Sequence, residues 1–486
     1  MVTFYTFGCK LNQLETEAIA ASFRDAGFII LPWFLPELKE KRQINSSVIP
    51  ALCIINTCTV TSKAEQKARR IIRLCLRYGC IVLVTGCYAQ LEKEELAALG
   101  DNLFILPGQL KDKLLDLPGC LSETGIEKNQ LSMEISRWCC NITTTPSNSN
   151  KPVKPAYPND AFRFNPQNFL YHSRAFLKIQ DGCDRSCAYC RVPLARGKKI
   201  SLSSKEVLCR LQALEKNGMA EAVLSGVNIC QYQDPDNSSI TLPVLLQYVL
   251  DNTNIISLRL SSIEPEFLTP GDSDFFTVLA HPRIRNHFHI SVQSGSNAIL
   301  AAMGRPYNAK EILFAAEKLR TIRDDPFLAC DIICGFPGET DDEFLKTFTL
   351  CNNIDFAWIH AFPYSKRPGT PAASIRKGLV NQRTAGERVQ KLVELARQGK
   401  NAYILRWQGK TVKAVAENVS TQAVSENNNV PFFPAITDNY IKIAVVLNKM
   451  DKKPVPGAAF SCMIRNAVAG QTVPDGFDAW AELVIA

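Results

Sequence analysis

The chain has 486 residues, a net charge of +8, 46% hydrophobic residues and 21% charged ones. That length suggests about three domains, and the composition excludes a mostly disordered chain. No apolar run approaches the roughly 18–20 residues a spanning helix needs, and residues 1–10 lack the basic-then-apolar plan of a signal peptide. A cytoplasmic protein with no membrane partner is expected. Eighteen cysteines are too sparse there for a disulfide scaffold and favour metal or redox chemistry.

Residues 1–120 alternate short apolar runs at 2–7, 51–56 and 81–85 with helical periodicity at 12–25 and 62–78. That order predicts an open, Rossmann-like parallel α/β sheet whose ligands sit beyond the carboxyl ends of the strands. Residues 121–168 contain a Thr-, Ser-, Asn- and Pro-rich run at 143–152 and read as a linker. From 169 to 400 six strands are expected, at 175–180, 221–224, 256–260, 287–292, 327–333 and 356–362. Each ends in a small or polar cluster, which predicts a partial (βα)6 barrel with function-bearing loops at its C-terminal face. A helix at 382–405 leads to a tail, 401–486, with strands at 411–415, 440–446, 458–468 and 479–485 and no helices between them. A small all-β barrel fits.

The run Cys183-Asp184-Arg185-Ser186-Cys187-Ala188-Tyr189-Cys190 has the spacing C-x3-C-x2-C directly after the first barrel strand. Three thiolates on one loop can hold three irons of a [4Fe–4S] cluster and leave the fourth open. Zinc is the rival metal, but a structural zinc wants a fourth ligand nearby and none is evident. Cys9, Cys58 and Cys87 each end an N-terminal strand, so the topology brings them to one crevice. That pattern alone fits either a second cluster or buried structural cysteines. Gly8 and Gly86 would let the backbone approach a bulky ligand. Of the other cysteines, Cys53, Cys75, Cys209, Cys330, Cys334 and Cys351 are expected in the core. Cys80 and Cys120 fall at element ends and Cys462 in a tail strand, while Cys139 and Cys140 are expected to be exposed. His289 and His360 read as satisfied interior histidines.

The cysteine loop and barrel together resemble the radical S-adenosylmethionine superfamily. That resemblance implies that S-adenosylmethionine chelates the open iron and is reductively split to a 5′-deoxyadenosyl radical, with Tyr189 packing near the adenosyl group. Gly226, Ser262, Glu264, Gln293 and Gly335, all at strand ends, are candidates for its pocket, although such residues also serve as turns and caps. Gly8-Cys9-Lys10-Leu11-Asn12-Gln13, Asn56-Thr57-Cys58-Thr59-Val60-Thr61-Ser62-Lys63-Ala64 and Thr85-Gly86-Cys87-Tyr88-Ala89-Gln90 look like the N-terminal domain of methylthiotransferases. That family adds the radical barrel and a C-terminal TRAM domain, so the resemblance covers nearly the whole chain. It implies a second [4Fe–4S] cluster on Cys9, Cys58 and Cys87, carrying the sulfur that is methylated and transferred. Cys230 stands where the family usually has glycine.

The helix after Cys58 carries six basic residues within an arc of about 160°, among them Lys63, Lys67 and Arg70, against one acid, Glu65. Such a stripe is either a solvated face or a phosphate-facing one, and the imbalance favours phosphate. Arg196, Lys366 and Arg367 are further candidate contacts to a nucleic-acid backbone. The tail is nearly neutral, with eight Lys/Arg and seven Asp/Glu from 406 to 486, which argues against an acidic grip on a basic protein. Residues 259–265, 361–372 and Thr59-Val60-Thr61 resemble the tRNA threonylcarbamoyladenosine branch. The resemblance implies methylthiolation at C2 of N6-threonylcarbamoyladenosine-37, with the tRNA anticodon stem-loop as substrate and an electron donor protein as partner. Ser365, Lys366, Arg367 and Thr370 are then candidate partners for the hydroxyl and carboxylate of the modification. Methylthiolation of isopentenyladenosine or of a ribosomal protein, and a non-catalytic iron–sulfur RNA-binding protein, are the competing readings.

Overall fold

The computed structural model describes residues 1–31, 49–122, 128–143, 161–166, 169–417, 431–447, 454–467 and 472–484. Strands β1 (Val2–Thr6), β2 (Ile30–Leu31), β3 (Leu52–Thr57), β4 (Ile81–Gly86) and β5 (Leu103–Ile105) form a parallel sheet of order β2-β1-β3-β4-β5. Its central strands are apolar throughout because both faces are covered: Leu52, Ile54, Ile81 and Leu83 enter one core, and Cys53, Ile55, Val82 and Val84 the other. Helices α1 (Lys10–Asp25), α2 (Ser62–Arg77) and α3 (Cys87–Leu91) start just beyond β1, β3 and β4. The expected sheet is present. The short strands β2 and β5 were not expected.

The segment 121–168 is not simply a linker. Its described part holds the helix Lys128–Thr143, whose Leu131, Ile135, Trp138 and Ile142 lie on the first core, with Ile135 fully buried. These residues recur at helical spacing, a signal masked by the polar composition of 143–152. Most of that run lies outside the described residues.

Strands β6 (Ala175–Lys178), β9 (Glu221–Ser225), β10 (Ser257–Leu260), β11 (His287–Gln293), β12 (Phe327–Cys334) and β13 (Trp358–Pro363) are parallel neighbours in that order. Two bridges, Leu258 to Ile284 and Ile263 to Ile290, join the β6-β9-β10 and β11-β12-β13 halves. Between β6 and β9, the pair β7 (Gln180–Asp181) and β8 (Ile200–Ser201) ties off the base of the Cys183–Cys190 loop. Leu258, Leu260, Phe288, Ile290, Leu328, Cys330 and Ile332 pack into the core shared with the helices. The alternating set, Arg259, His287, His289 and Asp331, faces the lumen. Into the lumen comes Leu14 of α1, against Phe176 and Val223.

The tail closes into a five-stranded barrel, β14 (Thr411–Ala416), β15 (Phe432–Thr437), β16 (Lys442–Val446), β18 (Ala479–Leu483) and β17 (Ala459–Arg465), in the order β14-β15-β16-β18-β17. β15 was not expected, because Pro434 breaks its apolar run in the sequence. Helix Gln382–Trp407 buries Tyr403, Ile404 and Trp407 in the tail core, together with Phe327, Ala329 and Ala357 of the larger barrel. The expected break at 400 therefore falls inside a continuous helix. Cys209 is exposed rather than in the core, and His360 is exposed rather than interior.

The turn between β15 and β16 caps the floor of the lumen. Arg259 donates to the carbonyls of Thr437 (3.1 Å) and Asp438 (3.2 Å), and Tyr440 stacks on His287 at 4.1 Å. Arg259 is held by Glu221, and both are fully buried. Burial alone would raise the Glu221 carboxyl, but Arg259 and Arg285 overrule it and hold it well below the ordinary range. A depressed carboxyl stabilises above its unfolded pKa of about 4.3, and that stability is lost as pH falls. The thermal-midpoint advantage of the wild type over Glu221→Gln is therefore expected to be constant above about pH 5 and to shrink below about pH 4. An advantage unchanged through that window would contradict the assignment.

Candidate functional site at the seam of two cysteine triads

Cys9 precedes α1, Cys58 follows β3 and Cys87 opens α3, so all three sit at carboxyl ends of strands in one sheet. They are electrostatic neighbours of one another. Gly8 adopts φ +103°, and a Cβ there would stand 2.6 Å from Cys58 Cβ and 2.7 Å from its Sγ. Gly86, at φ +102°, lies against the backbone of Thr57, which a Cβ would meet at 2.3 Å. Only glycine permits either approach. Asn12 stitches the loops together, donating to Phe7 O (2.8 Å) and Thr57 O (3.1 Å), while Asn56 donates back to Asn12 O (3.0 Å).

The second triad lies on the loop between β7 and β8. Backbone N–H groups donate to its sulfurs, from Arg185 to Cys183 and from Val192 to Cys190, each at 3.4 Å. Arg305 donates to Cys187 Sγ at 3.3 Å and pairs with Glu264 at 2.8 Å. In the first triad Val60 N donates to Cys58 Sγ at 3.5 Å. Burial pushes the Cys58 and Cys190 thiols up to about 12. Free, they stay protonated at neutral pH, and a bound metal would deprotonate them. All-thiol donor sets with N–H groups aimed at the sulfurs fit an iron–sulfur cluster.

A five-residue helix, Val192–Arg196, joins the two triads. At its start Arg191, next to Cys190, donates to Thr59 Oγ1 (3.1 Å), the residue after Cys58, and pairs with Glu92 (2.6 Å). At its end Arg196 reaches Glu15 (3.1 Å), Asp181 (3.0 Å) and Asn12 Oδ1 (2.7 Å). Lys178 and Lys111 also pair with Glu15, and Lys178 with Asp181. Three cations thus face two carboxylates, all buried, and Arg196 lies within electrostatic reach of Cys9 and Cys87. The surplus positive charge favours an anionic, thiolate-ligated group there.

Arg196 is therefore not a contact to a nucleic-acid backbone. Nor is Arg367: it is buried, bonded to Ser62 Oγ (2.9 Å), Thr59 Oγ1 (3.2 Å) and Glu65. Thr370 is likewise buried, its hydroxyl donating to Arg367 O at 2.7 Å. A sequence cannot reveal such burial, because the partners lie up to 308 residues away. Lys63, Lys67, Ser365 and Lys366 do converge, on a groove of about 800 Å³ that is also lined by Gly8, Phe362 and Tyr364. Lys63, Lys67, Arg70, Arg73 and Arg77 are exposed, with no ion-pair partner among the described residues, whereas Arg69 is tied to Tyr88 and Glu95.

The expected cofactor-pocket residues scatter in role. Tyr189 packs with Met303, Phe336 and Tyr364 beside the second triad. Glu264 is buried against Arg305, and Cys230 Sγ accepts from its backbone N–H at 3.4 Å. Ser262 turns to His289, and Gln293 holds a left-handed φ of +63°. Gly226 and Gly335 have packing reasons: an added Cβ would press on Gln180 and on Ala385, respectively. Arg305 was missed, since nothing near it in the sequence points to Cys187, 118 residues away.

Residues 177–351 match the Radical SAM superfamily, and residues 1–106 match a group described as Uncharacterized protein family UPF0004. The threonylcarbamoyladenosine tRNA methylthiotransferase MtaB of Treponema pallidum is 40% identical, over 88% of this chain and 93% of that one. The chain belongs to the radical S-adenosylmethionine methylthiotransferases. The Bacillus subtilis MtaB is 31% identical over 91% of this methylthiotransferase and 89% of its own length. The tRNA-2-methylthio-N(6)-dimethylallyladenosine synthase of Neorickettsia sennetsu is 27% identical, over 86% and 84%. Among the described residues, no helix of the methylthiotransferase is long and apolar enough to cross a membrane.

Breaking the buried network should be costly. Arg196→Met removes the one guanidinium that bonds Glu15, Asp181 and Asn12 together and is expected to destabilise the fold by about 3–5 kcal/mol, with any iron held by the Cys9 triad lost before that held by the Cys183 triad. Denaturant unfolding and iron content, measured with and without Cys183→Ala, test this. An undiminished midpoint would contradict the role given to Arg196.

Proposed function

We propose that the protein transfers a methylthio group to C2 of N6-threonylcarbamoyladenosine at position 37 of tRNA. The observation that carries this reading is the meeting of two cysteine triads at one seam, beside a groove open to a large cationic face. Cys183, Cys187 and Cys190 would hold one [4Fe–4S] cluster and Cys9, Cys58 and Cys87 a second. When bound, the clusters and S-adenosylmethionine supply the hard chemistry, one S-adenosylmethionine as methyl donor and another as radical source. The higher identity to proteins named for threonylcarbamoyladenosine than to the one named for dimethylallyladenosine supports the substrate.

The chain's own residues supply position and electrostatics. Lys63, Lys67 and Lys366 border the groove and can neutralise phosphates of the anticodon stem-loop. Phe362, 44% exposed at the groove wall, offers a face on which an unpaired base can stack. Glu264, fixed by Arg305, and Tyr189, packed beside Cys190, would hold the S-adenosylmethionine. The Arg191 and Arg367 contacts to Thr59 and Glu65 fix the Cys58 loop against the Cys190 loop, so both reacting centres keep one orientation to the groove. Reduction requires an external electron donor protein.

Reconstituted anaerobically and given S-adenosylmethionine, a reductant and tRNA carrying threonylcarbamoyladenosine, the protein should yield the 2-methylthio nucleoside on mass spectrometry. Cys9→Ala and Cys183→Ala should each abolish it. Continued 5′-deoxyadenosine formation with no tRNA product would reject this substrate and leave isopentenyladenosine or a ribosomal protein.

A further inference from the structure

The lumen holds a polar constellation that the reaction outlined above does not use. His289 of β11, Asp331 of β12 and His360 of β13 point the same way on adjacent strands, with Asp331 and His360 directly paired in register. Ser262 Oγ lies 2.8 Å from His289 Nδ1, His289 Nε2 lies 3.4 Å from Asp331 Oδ1, and the His289 and His360 rings are 5.5 Å apart. Trp358 Nε1 donates to His360 Nδ1 at 3.2 Å, so the proton of the neutral ring sits on Nε2, free to donate. Lys10, the residue after Cys9, is within electrostatic reach of both Asp331 and His360.

These groups border open space rather than filling a core. His360 is exposed, and the Asp331 side chain keeps 32% of its surface. They are also continuous with the groove, because Phe362, which lines it, lies parallel to His360 at 6.4 Å on the same side of β13. A ligand passing Phe362 and the Cys9 corner therefore meets one ammonium, two imidazoles, a carboxylate and a hydroxyl.

We infer that this constellation is the recognition site for the amino-acid arm of the modified base. Lys10 and His360 Nε2–H take the arm's carboxylate, and the Asp331–His289–Ser262 chain takes its hydroxyl. The inference rests on the proposed substrate and identifies what would read it. It also replaces Arg367 and Thr370, which the clamp occupies. A site built from hydrogen-bonding groups rejects an apolar arm strongly, by about 10⁴-fold in favourable cases, because its polar groups are then left unpaired. The same lumen would thus exclude an isopentenyl-bearing base.

The test is binding of synthetic anticodon stem-loop RNA, with either threonylcarbamoyladenosine or plain adenosine at position 37, to the reconstituted holoenzyme in the presence of S-adenosylmethionine. The wild type should prefer the modified RNA by about tenfold or more, the scale of one charge-assisted hydrogen bond. His360→Phe and Asp331→Asn should erase most of that preference while leaving affinity for the plain RNA and iron content as in the wild type, which also shows that the variants are folded. His360→Gln, which keeps a donor, should retain part of it. Variants that keep the full preference would overturn the lumen site and leave the substrate standing. A wild type that does not discriminate would overturn both.

Discussion

The structure turns on a buried set of charges between the first two domains: Glu15 and Asp181 against Arg196, Lys178 and Lys111. Burying ions is expensive and is repaid only with close geometry and full hydrogen bonding, and here Arg196 alone contacts two carboxylates and Asn12. Because Arg196 and Arg191 stand at opposite ends of Val192–Arg196, that one turn of helix grips the Cys9 side with one end and the Cys58 side with the other. The radical barrel therefore does not merely adjoin the N-terminal sheet. The same loop that presents its three thiols is the part that docks.

Everything around the seam follows from this registration. Helix α1, carrying Cys9 at its start, plugs one side of the lumen by sending Leu14 against Phe176 and Val223. The tail covers the floor through Arg259, Glu221 and the turn at 437–440. Between α2 and the end of β13 the groove stays open, with the polar lumen beyond it.

Much of this was legible in the sequence, for reasons of local physics. Apolar runs with helical spacers marked the barrel strands to within a few residues, and C-x3-C-x2-C follows the first of them, inside the stretch that matches the Radical SAM superfamily. Cys9, Cys58 and Cys87 could be assembled because parallel-strand ends share a crevice, although the spacing alone fits a cluster or buried thiols equally. What stayed hidden was pairing over distance. Arg196 and Arg367 read as surface cations because their partners, Glu15 and Glu65, lie 181 and 302 residues away. The helix at Lys128–Thr143 stayed hidden because a polar run beside it dominated the composition, and β15 because of Pro434.

Fixing of the two triads relative to each other by Arg191 and the Val192–Arg196 helix can be measured by pulsed electron paramagnetic resonance on the reduced, reconstituted protein. With a cluster on each triad, as proposed, a single narrow cluster–cluster separation is predicted for the wild type. A shifted or broadened one is predicted for Arg191→Met, with iron content unchanged. An identical distribution in both would contradict the account.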